Sequence, residues 1–286
     1  MYKLNLGLSI SCFGLKWLED KKYQITQLHE YVDEMTKFMK ENGFSSMELS
    51  AAGGWNLKEE EENFPAVKEF VKIIKRNGVR LNSVHLPFSL PFWEFDSPNE
   101  EDRKSAVERA KWAISQFEEG CPKYFVIHPG KIGSSDPEER KFLLEQLAKS
   151  MDELCNSTTA TICIENMTGD SVVNQTSEAL WLLDRVPKLM MVIDINHPFI
   201  ETPEYFIEKI GDRVKCLHVS DRDEIKERHN LPGDGILNWN KIIGALEKIG
   251  YQNEFTYEIS IGSRKNPLSE VRKNYETLFE NYNASK

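Results

Sequence analysis

The chain reads as an α/β protein, one (β/α)8 barrel over residues 1–286, and three observations predict it. Short apolar runs rich in Val, Ile and Phe alternate with amphipathic stretches of about 10 to 18 residues, which is the βα rhythm of this class. Eight such runs occur, and the polar residues that close them, from Ser9 to Glu258, recur roughly every 36 residues, one βα unit each. No GxGxxG follows the first run and no Pro/Gly/Ser-rich linker divides the chain, which argues against an open doubly wound sheet and against two domains.

The elements follow in order. The first strand is expected over Lys3–Ser9 and the second over Ser46–Ser50, with Gly43 ending the amphipathic stretch between them. Pro65 opens a helix over Ala66–Arg76, Gly78 ends it, and the third strand is Arg80–His85. Gly120 precedes the fourth, Tyr124–His128. Ser135-Asp136-Pro137-Glu138-Glu139 carries the cap, the first-turn proline and the acidic residues of a helix running to about Cys155, and the fifth strand follows at Thr161–Glu165. After the sixth, Met190–Asp194, Thr202-Pro203-Glu204 opens Tyr205–Ile210, and Gly211 closes that helix before the seventh strand, Lys215–Val219. Trp239 starts the seventh helix, Gly250 ends it, and Phe255–Ile259 is the eighth strand.

Composition supplies the boundaries. With 286 residues and 40% hydrophobic content there is enough apolar material for one large core. Lys and Arg number 36 against 46 Asp and Glu, a net charge of −10, which argues against a nucleic-acid partner. No apolar run approaches the roughly 18 residues of a membrane helix, and the opening residues are too interrupted for a secretory signal, so a cytoplasmic protein without a membrane is expected. Cys12, Cys121, Cys155, Cys163 and Cys216 are odd in number, lack a CxxC pair, and read as small core residues.

In such a barrel the chemistry sits at the C-terminal ends of the strands. The runs here close on His85, His128, Glu165, Asp194, His218 and Glu258, and five of the six histidines (His85, His128, His197, His218, His229) fall at or just after strand ends. Buried carboxylates brought this close repel one another unless a cation lies between them. Imidazole with carboxylate suits Zn²⁺, Mn²⁺, Co²⁺ or Fe²⁺ and requires no thiolate.

Ile164-Glu165-Asn166-Met167, Ile193-Asp194-Ile195-Asn196-His197, Leu217-His218-Val219-Ser220-Asp221, Arg228-His229-Asn230-Leu231-Pro232-Gly233-Asp234-Gly235 and Tyr257-Glu258 resemble, in order and spacing, the xylose isomerase-like TIM barrels. The resemblance runs from Leu4 to Ile259. That superfamily holds sugar and sugar-phosphate isomerases and epimerases, inosose dehydratases and isomerases, and endonuclease IV repair enzymes, so it specifies a fold more sharply than a reaction. It implies one divalent ion (Mn, Zn, Co or Mg) held by Glu165, Asp194, His218 and Glu258, with Glu165 and Glu258 also the acid/base pair and His197 binding and polarising a substrate oxygen. A metal that chelates a carbonyl and the neighbouring hydroxyl acidifies the C–H between them and stabilises the enediolate. The expected activity is isomerisation or epimerisation of a small sugar, ketose, inosose or sugar phosphate, and an inosose dehydratase-type lyase would use the same parts.

The same resemblance leaves a second reading, a zinc-dependent AP endonuclease with up to three Zn. His85, His128 and Glu165 match its first zinc, Asp194, His218 and Glu258 its second, and His197 and His229 its third, with Glu227 where that branch has Asp. Ser9 stands where that branch has a histidine, and the loop from Glu48 to Trp55 offers no Arg or Lys to phosphates. A non-catalytic sugar-binding barrel is the third reading.

The second-strand loop reads better as a pocket wall: Glu48 hydrogen-bonds a hydroxyl, while Trp55, Phe88, Phe92 and Trp93 stack on the apolar face of a sugar ring, ordinary packing being the equal alternative for these aromatics. Arg264, in Gly262-Ser263-Arg264-Lys265-Asn266, is the candidate phosphate contact after the eighth strand, in a segment that also reads as a solvated loop. The expected partner is a small sugar or polyol. A homo-oligomer stays open.

Overall fold

The computed structural model describes residues 1–9, 28–50, 69–88, 93–117, 121–130, 132–260 and 267–286. Their elements run β1 (Asn5–Ser9), α1 (Leu28–Glu41), β2 (Ser46–Ser50), α2 (helical at 69–76), β3 (Arg80–His85), α3 (Glu100–Ser115), β4 (Tyr124–Ile127), α4 (Pro137–Ser157), β5 (Thr161–Glu165) and α5 (Thr176–Arg185). They continue with β6 (Met190–Asp194), α6 (Pro203–Ile210), β7 (Val214–His218), a two-stranded ribbon β8 (Asp221–Arg222) and β9 (Glu227–Asn230), α7 (Trp239–Lys248), β10 (Glu254–Tyr257) and α8 (Pro267–Ala284).

The eight long strands form one parallel sheet in the order β10-β1-β2-β3-β4-β5-β6-β7. Two hydrogen bonds join its ends: Val219 N–H donates to the Thr256 carbonyl at 2.8 Å, and Glu258 N–H to the Val219 carbonyl at 3.0 Å. The sheet is therefore a barrel, as the eight-unit spacing predicts.

Helix punctuation follows the expected chemistry. Asp136 accepts from the N–H groups of Glu138 and Glu139 ahead of Pro137, and Thr202 accepts from Tyr205 N–H ahead of Pro203. Gly43, Gly78, Gly211 and Gly250 all have φ between +63° and +77°, the left-handed conformation that ends a helix at least cost for glycine. β4 stops at Ile127 because Pro129 has no N–H to extend the ladder. β10 ends at Tyr257, since Glu258 turns its N–H to Val219 in the barrel seam. The ribbon β8–β9 is not anticipated from sequence, where only the turn at Pro232–Gly235 is evident.

Pleat alternation explains how the barrel is filled. Outward residues such as Leu6, Leu8, Phe125, Ile127, Ile162, Ile164, Met191, Ile193, Leu217 and Phe255 pack with the helices in the main core. The inward Tyr124, Val126, Cys163, Val192 and Cys216 make a separate small cluster; Cys163 and Cys216 there, and Cys155 on the core face of α4, are buried free thiols. On the other side of the interior a Cβ on Gly7 would stand 2.9 Å from Thr256 Oγ1 and 3.0 Å from Ser46 Oγ, so β1 approaches its neighbours as only glycine permits. Counting two residues on from each interior position reaches the strand ends, and there the residues are Glu48, His85, His128, Glu165, Asp194, His218 and Glu258.

Candidate metal centre

Glu165, Asp194, His218 and Glu258 each offer one donor atom, and those atoms all lie within 4.8 Å of one another. His218 Nδ1 is 3.1 Å from Glu258 Oε2 and 3.3 Å from Glu165 Oε1. Asp194 Oδ1 accepts from Asn196 N–H at 2.7 Å, whereas its Oδ2 is buried without an aligned donor, as is Glu165 Oε2. Three carboxylates and one imidazole, two of the oxygens orphaned, are a donor set that fits a divalent cation of borderline or hard character.

The electrostatics agree. Burial pushes Asp194 up to about 6, His197 opposes this, and the neighbouring Glu165 and Glu258 add to it. Burial also raises Glu165, but the charges of His218 and His128 prevail and hold it well below the usual carboxylate range. For His218, burial disfavours the cation, yet Glu258, Glu48 and Glu165 together lift its pKa well above that of a free imidazole. The imidazolium thus supplies positive charge that the crowded carboxylates require.

Two further groups flank this set. On the β3–β4 side, His85 Nε2 and His128 Nε2 both lie 3.2 Å from Glu165 Oε2 and 3.2 Å from each other. Phe88 stacks on the His128 ring at 4.3 Å between centroids, so it does line the site. Burial lowers His128, while contact with Glu165 outweighs burial at His85 and raises it. On the ribbon side, His197 Nε2 is 3.1 Å from Glu227 Oε2 and 3.3 Å from Asp194 Oδ2, and His197 is lifted to about 10 because Asp194 and Glu227 overcome its burial. The hydrogen bond from His197 lowers Glu227. His229, at φ +50°, directs Nδ1 to the Glu258 carbonyl at 3.1 Å.

Other expectations meet different geometry. Glu48 is 1% exposed, and its carboxylate is turned to His218 and Ser83. Trp93 is buried beside Phe95 in the main core and presents no free ring face. Trp239 begins α7, as expected, and its Nε1–H donates to Asp221 at 2.8 Å. Trp55, Phe92 and Arg264 lie outside the described residues, as do Gly120 and the first turn expected for the second helix.

Two supporting residues escape a reading of strand ends. Asn166 spans β5 and β6: its Oδ1 accepts from Asp194 N–H at 2.8 Å, its Nδ2 donates to the Asp194 carbonyl at 3.0 Å, and its own carbonyl lies 2.7 Å from His197 Nδ1. Asp221 collects the N–H groups of Arg222, Gly233 and Leu237 along with the Trp239 indole, which ties both ends of the 222–237 excursion to one buried carboxylate. Asn166 and Asp221 sit inside the motifs but just past their strands, where sequence spacing does not reveal a partner.

With this geometry established, comparison with known proteins adds the following. The model of the family described as xylose isomerase-like TIM barrel matches residues 36–280. The chain is 25% identical over 170 residues to fructoselysine 3-epimerase of Shigella flexneri, a stretch covering 56% of this chain and 61% of that protein's length. To D-psicose 3-epimerase of Enterocloster bolteae it is 23% identical over 278 residues, 89% of this chain and 82% of that one. Among solved structures, a D-tagatose 3-epimerase-like protein superposes with a TM-score of 0.74 at 20% identity, covering 99% of both chains.

Proposed function

The chain belongs to the xylose isomerase-like TIM barrel family, and on that premise we propose that it is a divalent-metal-dependent epimerase or isomerase of a small ketose-type sugar. The observation that carries the reading is the convergence of Glu165, Asp194, His218 and Glu258 within 4.8 Å at the barrel mouth. The relatives named as fructoselysine and D-psicose 3-epimerases support a ketose as substrate.

A divalent ion held by these four residues supplies charge stabilisation for the enediolate oxygens of the substrate. Glu165, kept ionised by His218 and His128, is in the state needed to accept a proton from the carbon next to the carbonyl. Glu258, from the end of β10 three strands around the barrel from β5, approaches the same centre and returns a proton. Delivery to the opposite face of the same carbon inverts it, which is epimerisation; delivery to the neighbouring carbon moves the carbonyl, which is isomerisation. His197 is anchored through Nδ1 by the Asn166 carbonyl, so its Nε2 points into the centre, where Glu227 and Asp194 face it and a substrate oxygen would compete for its proton.

The test is to strip the protein with a chelator, confirm loss of turnover on ketohexoses and fructosamine-type ketoses, and restore it with Mn²⁺ or Co²⁺. Turnover unaffected by full metal removal overturns the reading. A second reading, a zinc-dependent AP endonuclease, is favoured by one observation, the meeting of His85 and His128 at Glu165 Oε2. Metal content by elemental mass spectrometry separates the two: one ion per chain supports the epimerase, and two or three zinc ions with cleavage of abasic DNA support the nuclease.

A further inference from the structure

We propose that Glu48 is a positioning residue for the metal centre: its carboxylate accepts the Nε2–H of His218 and so aims the opposite nitrogen, Nδ1, at Glu165 and Glu258. This rests on the reading that Glu165, Asp194, His218 and Glu258 hold a divalent ion.

Geometry carries the argument. His218 Nε2 lies 3.2 Å from Glu48 Oε2, the oxygen aligned with its N–H, and 3.1 Å from Oε1, which has no aligned donor. An ionised carboxylate only accepts, so when an ion takes the place of the Nδ1 proton the one proton left on the ring is the Nε2–H that Glu48 holds. Nδ1 is the nitrogen that faces Glu258 Oε2 at 3.1 Å and Glu165 Oε1 at 3.3 Å. The two ring nitrogens therefore have separate tasks, and Glu48 assigns them.

Glu48 is itself held for this. The β2–β3 register shifts between Met47 and Glu48, so that Glu48 comes opposite Ser83 while Met47 pairs with Leu81. Such an irregularity re-aims a side chain at a strand end. Ser83 Oγ then donates to Glu48 Oε2 at 2.8 Å. The face of the His218 ring is fixed separately by His85, stacked at 5.6 Å with 16° between planes. Glu48 is as deeply buried as Glu165, at 1% exposure. A carboxylate buried this deeply and facing a ligand's remote nitrogen raises the basicity of that ligand, and loss of such a partner typically weakens metal affinity about 10–100-fold.

The experiment is calorimetric titration of Mn²⁺ and Co²⁺ into metal-free wild type, Glu48→Gln and Glu165→Gln, with thermal unfolding of each metal-free protein alongside. Glu48→Gln keeps the shape and an acceptor oxygen but removes the charge. The expected result is one site in wild type, binding weakened about 10–100-fold in Glu48→Gln at unchanged stoichiometry and unfolding temperature, and no measurable site in Glu165→Gln. Wild-type affinity in Glu48→Gln overturns the role of Glu48 and leaves the metal reading standing. No binding in wild type, or equal binding in Glu165→Gln, overturns the metal reading and this inference with it. If Glu48→Gln does not fold, Ser83→Ala replaces it: weaker binding by a folded Ser83→Ala protein supports the proposal, and wild-type affinity overturns it.

Discussion

Strand-borne and loop-borne side chains meet at this barrel mouth, and they are held by different means. Glu165, Asp194 and His218 end β5, β6 and β7, and the pleat of a paired strand points each of them inward. Glu227 and His229 come from the ribbon strand β9, which lies outside the barrel sheet. Their placement depends on Asp221, whose carboxylate takes four donors from the two ends of the excursion. A strand ligand inherits its direction from ladder hydrogen bonds that the whole barrel shares, whereas the ribbon residues depend on a few individual contacts, with Asp221 at the base and the Ser260 N–H to His229 carbonyl bond near the tip. The lesson is that a few buried contacts do for the ribbon what the sheet does for the strands.

That contrast can be broken at several points. The largest effect is expected on the strand side: Glu165→Gln or Glu258→Gln should lower kcat/KM on a ketose by about 10²–10⁴-fold in a folded protein, since each removes a ligand charge and a proton-transfer group. Near-normal turnover in either variant would remove these glutamates from the chemistry.

On the loop side, Asp221→Ala should destabilise the protein by about 2–4 kcal/mol, because it strands several buried donors. Its residual activity should match that of the Glu227→Ala, His229→Ala double variant, and combining all three changes should add little. Steady-state kinetics together with denaturant unfolding measure both quantities; additive losses would show that Asp221 acts on something other than the ribbon.

His85→Ala sharpens the comparison within the strands. With a single ion at the four-residue centre its effect on turnover should stay below about 10-fold, the usual lower range for a supporting group. A loss as large as that of Glu165→Gln would mean that His85 and His128 hold a further ion.

The last effect is read in stability against pH and not in turnover, and concerns Asp96, a second loop carboxylate at the same end of the barrel and the converse of Asp221. Asp96 is fully buried against Gly130, and among the described residues no other residue donates to either of its oxygens. Burial, with a further push from Glu94, raises its pKa to about 8. Between about pH 4 and pH 8 the unfolded chain is ionised here and the folded one is not, so the unfolded state binds fewer protons. Asp96 therefore costs stability as pH rises through that window, by up to about 1.4 kcal/mol per unit, and the cost levels off above pH 8. Asp96→Asn should flatten this part of the stability–pH curve; an unchanged slope would mean that Asp96 is ionised in the native fold.

Much of this molecule is legible in one dimension. Run spacing identifies the barrel, because a βα unit has a nearly constant length. Helix caps at Asp136 and Thr202 and the terminating glycines fall where local chemistry requires them. The four candidate ligands are legible for the same reason: a polar residue at the end of an apolar run in a barrel has one place to go. Glu48 is the instructive exception. Its position at the end of β2 is as readable as that of Glu165, but its partner is not, because a register shift with β3 and the reach of His218 from β7 decide what it touches. Trp93 likewise reads as a pocket aromatic until the packing of the loop against Phe95 places it in the core.

By itself, then, the sequence determined the barrel and the strands that build it, and put forward the polar residues that close those strands as candidates, since periodicity and capping are local properties of the chain. Only the tertiary structure decided that Nδ1 of His218 faces Glu165 and Glu258 while Nε2 faces Glu48, that Asn166 ties Asp194 to His197, and that Asp221 gathers donors from the ribbon's base while no other described residue donates to Asp96. Those are contacts between residues distant in sequence. They depend on register and closure, which the hydrogen-bonded ring of strands sets as a whole and no single segment encodes.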